Sequence, residues 1–173
     1  MILALLWTGG PNPSGAEYRA LAQAGRYIAA GGHTLLLAGA GGPAFFAAEA
    51  YREAGGPHLA ALLPEGAAAP PSFFNAIAEG IPAAQLPEEV TRRGDVLLFL
   101  GPPEPSQLAA ARAAGKPAYA VTSLMTGTAA AEGLRLLPDI GAFARELAKL
   151  FSRSIVSRPD PMGRRLKGER HNT

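Results

Sequence analysis

The segment 33–56, which reads HTLLLAGAGGPAFFAAEAYREAGG, constrains the fold of this chain more than any other. A short apolar run at 34–38 leads into a glycine-rich turn at 39–42, and an alanine-rich stretch then ends at a pair of glycines. This order predicts a buried strand, a tight turn and a helix that ends at glycine. Because glycine carries no side chain, such a turn leaves backbone N–H groups at the helix N-terminus open to an anion.

Short apolar runs and helical patterns alternate along most of the chain. Strands are predicted at 2–7, 34–38, 58–63, 95–100, 117–121 and 134–137. Helices are predicted at 17–30, 44–54, 72–79, 87–93, 106–114 and 140–151, with Ser106 as the N-cap of the helix at 106–114. Apolar strands that alternate with amphipathic helices indicate a parallel sheet covered on both faces. With right-handed crossovers, the prediction is an α/β, doubly wound, Rossmann-like fold.

The length of 173 residues fits a single domain, which we expect to span 1–151, followed by a basic C-terminal extension at 152–173. The extension accounts for most of the sequence pI of about 9.2, so the basic pI does not indicate a nucleic-acid partner. No apolar run is long enough to cross a membrane and no cleavable leader pattern is present, so we expect a cytoplasmic protein without a membrane partner.

The chemistry available to the chain is limited by its composition. It has no cysteine, which excludes disulfides, thiolate metal sites and a catalytic thiol. Its three histidines are scattered without the spacing of metal ligands. We therefore expect neither a metal nor a resident cofactor.

Several predicted strands are followed by glycine-rich turns. In a doubly wound sheet, ligands bind beyond the carboxyl ends of the strands, so these turns are expected to meet at one ligand-binding edge. The candidate phosphate or ligand contacts are Thr8, Gly9, Gly10, Gly39, Ala40, Gly41, Gly42, Gly101 and Ser106. The alternative for the turn at 39–42 is that its glycines serve only tight packing of the helix on the sheet.

The order of these motifs resembles the LOG-type family, the "lonely guy" phosphoribohydrolases once called lysine decarboxylases, and the related molybdenum-cofactor-carrier-like proteins. The resemblance rests on the strand–glycine turn–helix unit at 38–56, LPEG at 63–66, Ile81-Pro82 and GKP at 115–117, and it extends to Phe151. It implies a Rossmann-type fold, a bound nucleotide or similar phosphorylated small molecule, and a homodimer.

The chain departs from this family where the resemblance places the chemistry. The family's second motif, P-G-G-x-G-T-x-x-E, falls on GPPEPSQ at 101–107, so its catalytic glutamate corresponds to Gln107 and its partner arginine falls near Glu89. Glutamine transfers no proton and glutamate does not clamp a phosphate, so we expect binding with weak or no hydrolysis. The alternatives are an active nucleoside 5′-monophosphate phosphoribohydrolase in which Glu104 or Glu65 substitutes, a phosphosugar-binding domain of the sugar-isomerase type, and a structural dimer with an empty cleft.

Two aromatic pairs bear on assembly. Phe45-Phe46 and Phe73-Phe74 are predicted on helices beside the cleft, where such residues belong to the core or to a dimer face. We expect a homodimer in which the extension at 152–173 packs on the partner subunit.

Overall fold

The computed structural model describes residues 1–39, 41–125 and 132–156, with side chains as far as 153. Its strands are β1 (Ile2–Trp7), β2 (Thr34–Ala38), β3 (Leu59–Pro64), β4 (Ala76–Ile81), β5 (Val96–Leu100), β6 (Ala118–Val121) and β7 (Leu134–Leu137). Within the described residues these seven strands form one sheet, in the order β4-β3-β2-β1-β5-β6-β7, and every neighbouring pair is parallel. The predicted parallel sheet is confirmed.

Helices cover both faces of this sheet. They are α1 (Gly15–Ala30), α2 (Ala44–Glu53), α3 (Leu86–Arg93), α4 (Pro105–Ala113) and α5 (Ile140–Val156). Leu3 and Leu5 of β1 pack in one buried cluster with residues of α1, α2 and α5, whereas Ala4 and Leu6 pack in a second cluster with residues of α3 and α4. This division follows from the alternation of side chains along a strand, and it confirms the doubly wound α/β architecture.

Helices α1 and α2 approach each other closely on their shared face of the sheet. A Cβ atom added at Gly25 of α1 would lie 2.2 Å from the carbonyl oxygen of Ala47 in α2, so only glycine fits at this crossing. At its start, α1 is fixed by a capping box in which Ser14 and Glu17 bond each other's backbone N–H groups.

The prediction of a helix at 72–79 is wrong. This segment leads into the edge strand β4, which pairs with β3. The pairing begins at Asn75, whose side-chain oxygen accepts from the N–H of Leu59 and whose N–H donates to the carbonyl of Leu59, both at 2.8 Å. The local pattern of this segment favours a helix, but hydrogen bonds to β3 decide the outcome here.

Phe73 and Phe74 accordingly lie before β4 in a turn and not on a helix. Phe74 is buried, Phe73 stacks on it with ring centroids 5.3 Å apart, and Phe45 contacts Phe73 at 5.5 Å. Arg52 donates a hydrogen bond to the carbonyl of Phe73 and holds the turn. Three of the four phenylalanines are thus packed on or in the core, and Phe46 is the exposed one.

At the C-terminal end, α5 continues past the predicted helix end at 151 to Val156. Residues 157–173 of the basic extension lie outside the described residues, and the prediction that the extension packs on a partner subunit falls on them. In the part of the chain that the structure describes, no helix is long and apolar enough to span a membrane.

Candidate functional site

The sheet has a topological switch point beside its central strand. β1 pairs with β2 on one side and with β5 on the other, so the chain winds outward from β1 in both directions. Such a reversal leaves a crevice beyond the carboxyl ends of the strands. A cavity of about 350 Å³ lies there, and we name it the switch-point cavity. Its lining includes Trp7, Thr8, Ala38, Gly41, Pro43, Ala44, Leu86, Pro87, Pro102, Glu104 and Gln107.

Thr8 brings a hydroxyl group to this cavity directly after β1. Its Oγ1 atom is buried and has no hydrogen-bond partner among the described residues. Gly101, which follows β5, adopts a φ of +114°, and a Cβ atom there would lie 2.7 Å from Oγ1 of Thr8. Glycine at 101 therefore lets the turns after β1 and β5 close around the hydroxyl. A buried hydroxyl without a partner has capacity to bond a ligand or an ordered water.

The two glycines after Thr8 serve the turn itself. A Cβ atom at Gly9 would lie 2.2 Å from the indole ring of Trp7, whose Nε1 donates to the carbonyl of Gly10 at 3.2 Å. Neither glycine belongs to the lining of the switch-point cavity. Of the candidates at 8–10, the structure therefore places only Thr8 at the cavity.

In the turn between β2 and α2, unlike the turn at 8–10, the glycines are not required by close contacts. Gly39 and Gly42 adopt φ values of +87° and +67°, which favour glycine, whereas Gly41 has no such constraint. A Cβ atom at any of these three glycines would meet nothing within 4 Å, so helix–sheet packing does not require them. Gly41 lines the cavity, and among the described residues the N–H groups of Gly41 and Gly42 donate no hydrogen bond. Ala40 lies outside the described residues.

The start of α4 forms another wall of the cavity. The prediction that Ser106 is its N-cap is wrong, because Glu104 occupies that position and Pro105 is the first helical residue. Proline is favoured at the first helical position because a backbone N–H there has no intrahelical partner, so its absence loses no hydrogen bond. The N–H of Glu104 donates to Oε1 of Gln107 at 2.9 Å, which closes a capping box. Ser106 is exposed and does not line the cavity.

The two positions that the LOG-type resemblance assigns to catalysis are not brought together. Gln107 is buried and lines the cavity, with Oε1 engaged in the capping box. Glu89 is not part of the lining and pairs with Arg92 at 2.7 Å and with Arg93 at 3.1 Å. The hydrogen bond from Arg92 holds the pKa of Glu89 below its usual value. Among the described residues, no acid–base pair of the LOG-type kind lines this cavity.

The charge at the cavity is correspondingly simple. Glu104 is the one titratable side chain among the described residues that line it, and no lysine, arginine or histidine joins it. Glu65, the other carboxylate candidate, lines a separate cavity of about 400 Å³ with Gly66, Glu79 and Gly80. No cluster of His, Asp and Glu in the described ranges could hold a metal ion.

Several residues that line the switch-point cavity were not predicted from the sequence. Ala83, Leu86 and Pro87 close the cavity from the segment before and within α3. As apolar residues they carry no chemical signature, and only the packing of α3 over β1 and β2 brings them to the site.

Solved structures with the same fold include two proteins named as a carrier and a binding protein of the molybdenum cofactor. The Moco carrier protein of Chlamydomonas reinhardtii is 19% identical, with 87% of this chain and 98% of that chain covered and a TM-score of 0.74. The molybdenum cofactor binding protein of Rippkaea orientalis is 18% identical, with 90% and 97% covered and a TM-score of 0.67. DNA processing protein A of Helicobacter pylori is 16% identical, with 86% and 80% covered and a TM-score of 0.64.

No protein-family model and no curated protein sequence matches the chain. At the identities found, the solved structures show a common fold. The order of motifs resembles that of molybdenum-cofactor-carrier-like proteins, and this resemblance predicted a Rossmann-type fold. The solved structures confirm that fold.

Proposed function

We propose that the protein binds a small phosphorylated molecule, a nucleotide or a cofactor of similar size, in the switch-point cavity. The observation that carries the proposal is the open backbone at Gly41, which lines the cavity, and at its neighbour Gly42. Among the described residues neither N–H group donates a hydrogen bond, and both adjoin the N-terminus of α2. Unpartnered N–H groups and the positive end of a helix together favour a phosphate group. The cavity volume of about 350 Å³ suits a ligand of this size.

The position of the charges gives the ligand an orientation. With no cationic side chain among the described residues of the lining, the backbone at 41–42 is the anion-binding element, and the carboxylate of Glu104, which also lines the cavity, repels a phosphate. Oγ1 of Thr8 is then available to bond an uncharged hydroxyl or carbonyl group of the ligand.

The names of the similar structures suggest where to look for the ligand. Two of them are named for carrying or binding the molybdenum cofactor. We therefore propose a nucleoside monophosphate or a phosphorylated cofactor of that kind, held as cargo and not as a resident group.

Binding without hydrolysis is the activity that the site supports best. Hydrolysis of an N-glycosidic bond needs a group that delivers a proton to the leaving base, and Gln107 has none to give. Glu104 is the single carboxylate among the described residues that line the cavity, so the alternative of an active phosphoribohydrolase depends on it.

The proposal is tested by titrating the protein with adenosine 5′-monophosphate in a calorimeter. We expect Gly41→Val to abolish binding, because the branched side chain projects where the phosphate would approach the backbone, while its Cβ atom would meet no protein atom within 4 Å. Gly10→Val is the matched control, since a Cβ atom there is equally free of contacts but lies outside the cavity lining. Equal affinity in the wild type and Gly41→Val would place the ligand elsewhere.

An assay for ribose 5-phosphate release separates binding from hydrolysis. We expect no release from common nucleoside monophosphates beyond that of a buffer control. Robust release that disappears in Glu104→Gln would establish the rearranged active site instead.

A further inference from the structure

A second cavity, of about 510 Å³, adjoins the turn between β2 and α2, and we name it the aromatic cavity. Gly41 and Pro43 line both this cavity and the switch-point cavity, so the turn forms a wall that the two cavities share. Apart from residues 41–43, the described lining of the aromatic cavity is aromatic or proline, namely Pro11, Tyr18, Phe45, Phe46 and Pro71. The phosphate position proposed at 41–42 therefore borders two cavities of different composition.

The aromatic cavity contains rings that are not enclosed by the protein's core. Tyr18 and Phe46 meet edge to face with ring centroids 4.5 Å apart, and they remain exposed at 36% and 41%. Phe45 packs against the core, and its ring lies 5.5 Å from that of Phe73. Exposed rings beside prolines suit a planar, uncharged ring of a ligand, because such a ring stacks on aromatic side chains.

The charges around the shared wall favour a phosphate that is bonded on both sides. No lysine, arginine or histidine occurs among the described residues that line either cavity, and Glu104 adds a negative charge. A terminal phosphate carries close to two negative charges at neutral pH, whereas a phosphate that bridges two groups carries one. Backbone N–H groups at a helix N-terminus supply partial charges only, so they match the bridging form better.

We propose that the ligand is a dinucleotide whose bridging phosphate groups lie at 41–42. One nucleoside arm fills the switch-point cavity, where Oγ1 of Thr8 bonds a sugar hydroxyl. The second arm enters the aromatic cavity, where its base stacks on Tyr18 and Phe46. This ligand uses the phosphate position of the proposed function, so the proposal rests on that function and specifies the class of molecule.

Three adenine nucleotides, titrated into the full chain in a calorimeter, separate the contribution of the second arm from that of charge. They are ADP, the β-methyl ester of ADP, and diadenosine diphosphate; the last two share the bridging pyrophosphate and carry the same charge on it. We expect diadenosine diphosphate to bind about tenfold or more tightly than the methyl ester, which is the gain from stacking one base. Equal affinities for these two ligands, or tighter binding of ADP than of diadenosine diphosphate, would overturn the proposal.

Adenosine 5′-monophosphate distinguishes failure of this proposal from failure of the proposed function. If the monophosphate binds and diadenosine diphosphate gains nothing over the methyl ester, the second arm is wrong and the ligand site at 41–42 stands. If neither the monophosphate nor any of the three other nucleotides binds, both proposals are wrong.

Phe46→Ala tests the aromatic cavity itself. The side chain is exposed, so its removal should leave the fold intact, which unfolding curves check. We expect the affinity for diadenosine diphosphate to fall by about tenfold, and the difference in affinity between it and the methyl ester to disappear.

Tyr27→Ala is the matched control for this variant. Its ring is similarly exposed, at 42%, and lines neither cavity, so the difference in affinity between the two ligands should persist. An equal loss of affinity in both variants, or no loss in Phe46→Ala, would contradict a base bound in the aromatic cavity.

Discussion

At the scale of single residues, Thr8 and Gly41 are the candidates that line the switch-point cavity without a packing or capping role among the described residues. The hydroxyl of Thr8 is buried without a hydrogen-bond partner among the described residues, and a Cβ atom at Gly41 would meet nothing within 4 Å. Gly9 and Gly101 have clear structural reasons, respectively the indole of Trp7 and the turn after β1. A residue whose polar group or backbone has no role in the protein's own packing is a candidate for contact with a ligand.

Thr8→Val tests the hydroxyl without changing the shape of the side chain. We expect the affinity for adenosine 5′-monophosphate to fall by about tenfold, as for loss of one hydrogen bond. The free energy of unfolding should be unchanged or higher, because an unpartnered buried hydroxyl is replaced by a methyl group. Calorimetry and urea denaturation measure the two quantities, and a clear loss of stability would show that the hydroxyl bonds within the protein.

Glu104→Gln tests the repulsion between this carboxylate and the ligand's phosphate. We expect affinity for the monophosphate to rise by about two- to fivefold at low ionic strength and the gain to shrink as salt is added. The glutamine retains a side-chain oxygen for the cap of α4, so the fold should be preserved. Weaker binding by this variant would indicate that Glu104 contacts the ligand directly.

At the scale of elements, the crossing of α1 and α2 depends on Gly25. We expect Gly25→Ala to lower the free energy of unfolding by about 1–3 kcal/mol, because its Cβ atom would lie 2.2 Å from the carbonyl oxygen of Ala47 and must push the helices apart. Urea denaturation measures the effect.

Gly15→Ala, at the first position of α1, is the control for this experiment. A Cβ atom there comes no closer than 3.5 Å to Arg19, so alanine should be neutral or stabilise by up to about 1 kcal/mol. Similar effects at both positions would mean that helix propensity, and not the crossing, determines the result.

At the scale of the whole molecule, His33 connects the turn after α1 to the distant helix α5. The residue is only 4% exposed, and its ring lies 5.6 Å from that of Phe151. Burial, followed by the positive charge of the chain's N-terminus, lowers the pKa of His33 below its ordinary value of 6.5. The folded protein therefore holds this histidine neutral where the unfolded chain would bind a proton.

Stability should consequently depend on pH in the mildly acidic range. Because the unfolded state binds more protons there, the free energy of unfolding should decline as pH falls below 6.5, until the folded pKa of His33 is passed. Denaturation of the wild type and of His33→Gln between pH 7 and pH 5 measures this, and the variant should show the flatter profile. Parallel profiles would assign the pH dependence to other groups.

Local sequence patterns were sufficient to predict secondary structure where the residues that determine an element all lie within one segment. The apolar run of β2 and the start of α2 lie in one stretch of sequence, and both were predicted correctly. Local patterns were not sufficient where contacts with a segment distant in sequence determine the secondary structure. Residues 72–79 favour a helix in isolation, but hydrogen bonds between Asn75 and Leu59 lead them into an edge strand.

The sequence alone therefore determined the doubly wound sheet and the turns at its carboxyl edge, because hydrophobic periodicity and glycine placement are local properties. Only the tertiary structure decided which of those turns share a cavity. It put Glu104 at the switch point, Glu65 at a separate site and Glu89 on the outside of α3. The physical reason is that a site's geometry depends on strand order and helix packing, which join residues far apart in the chain.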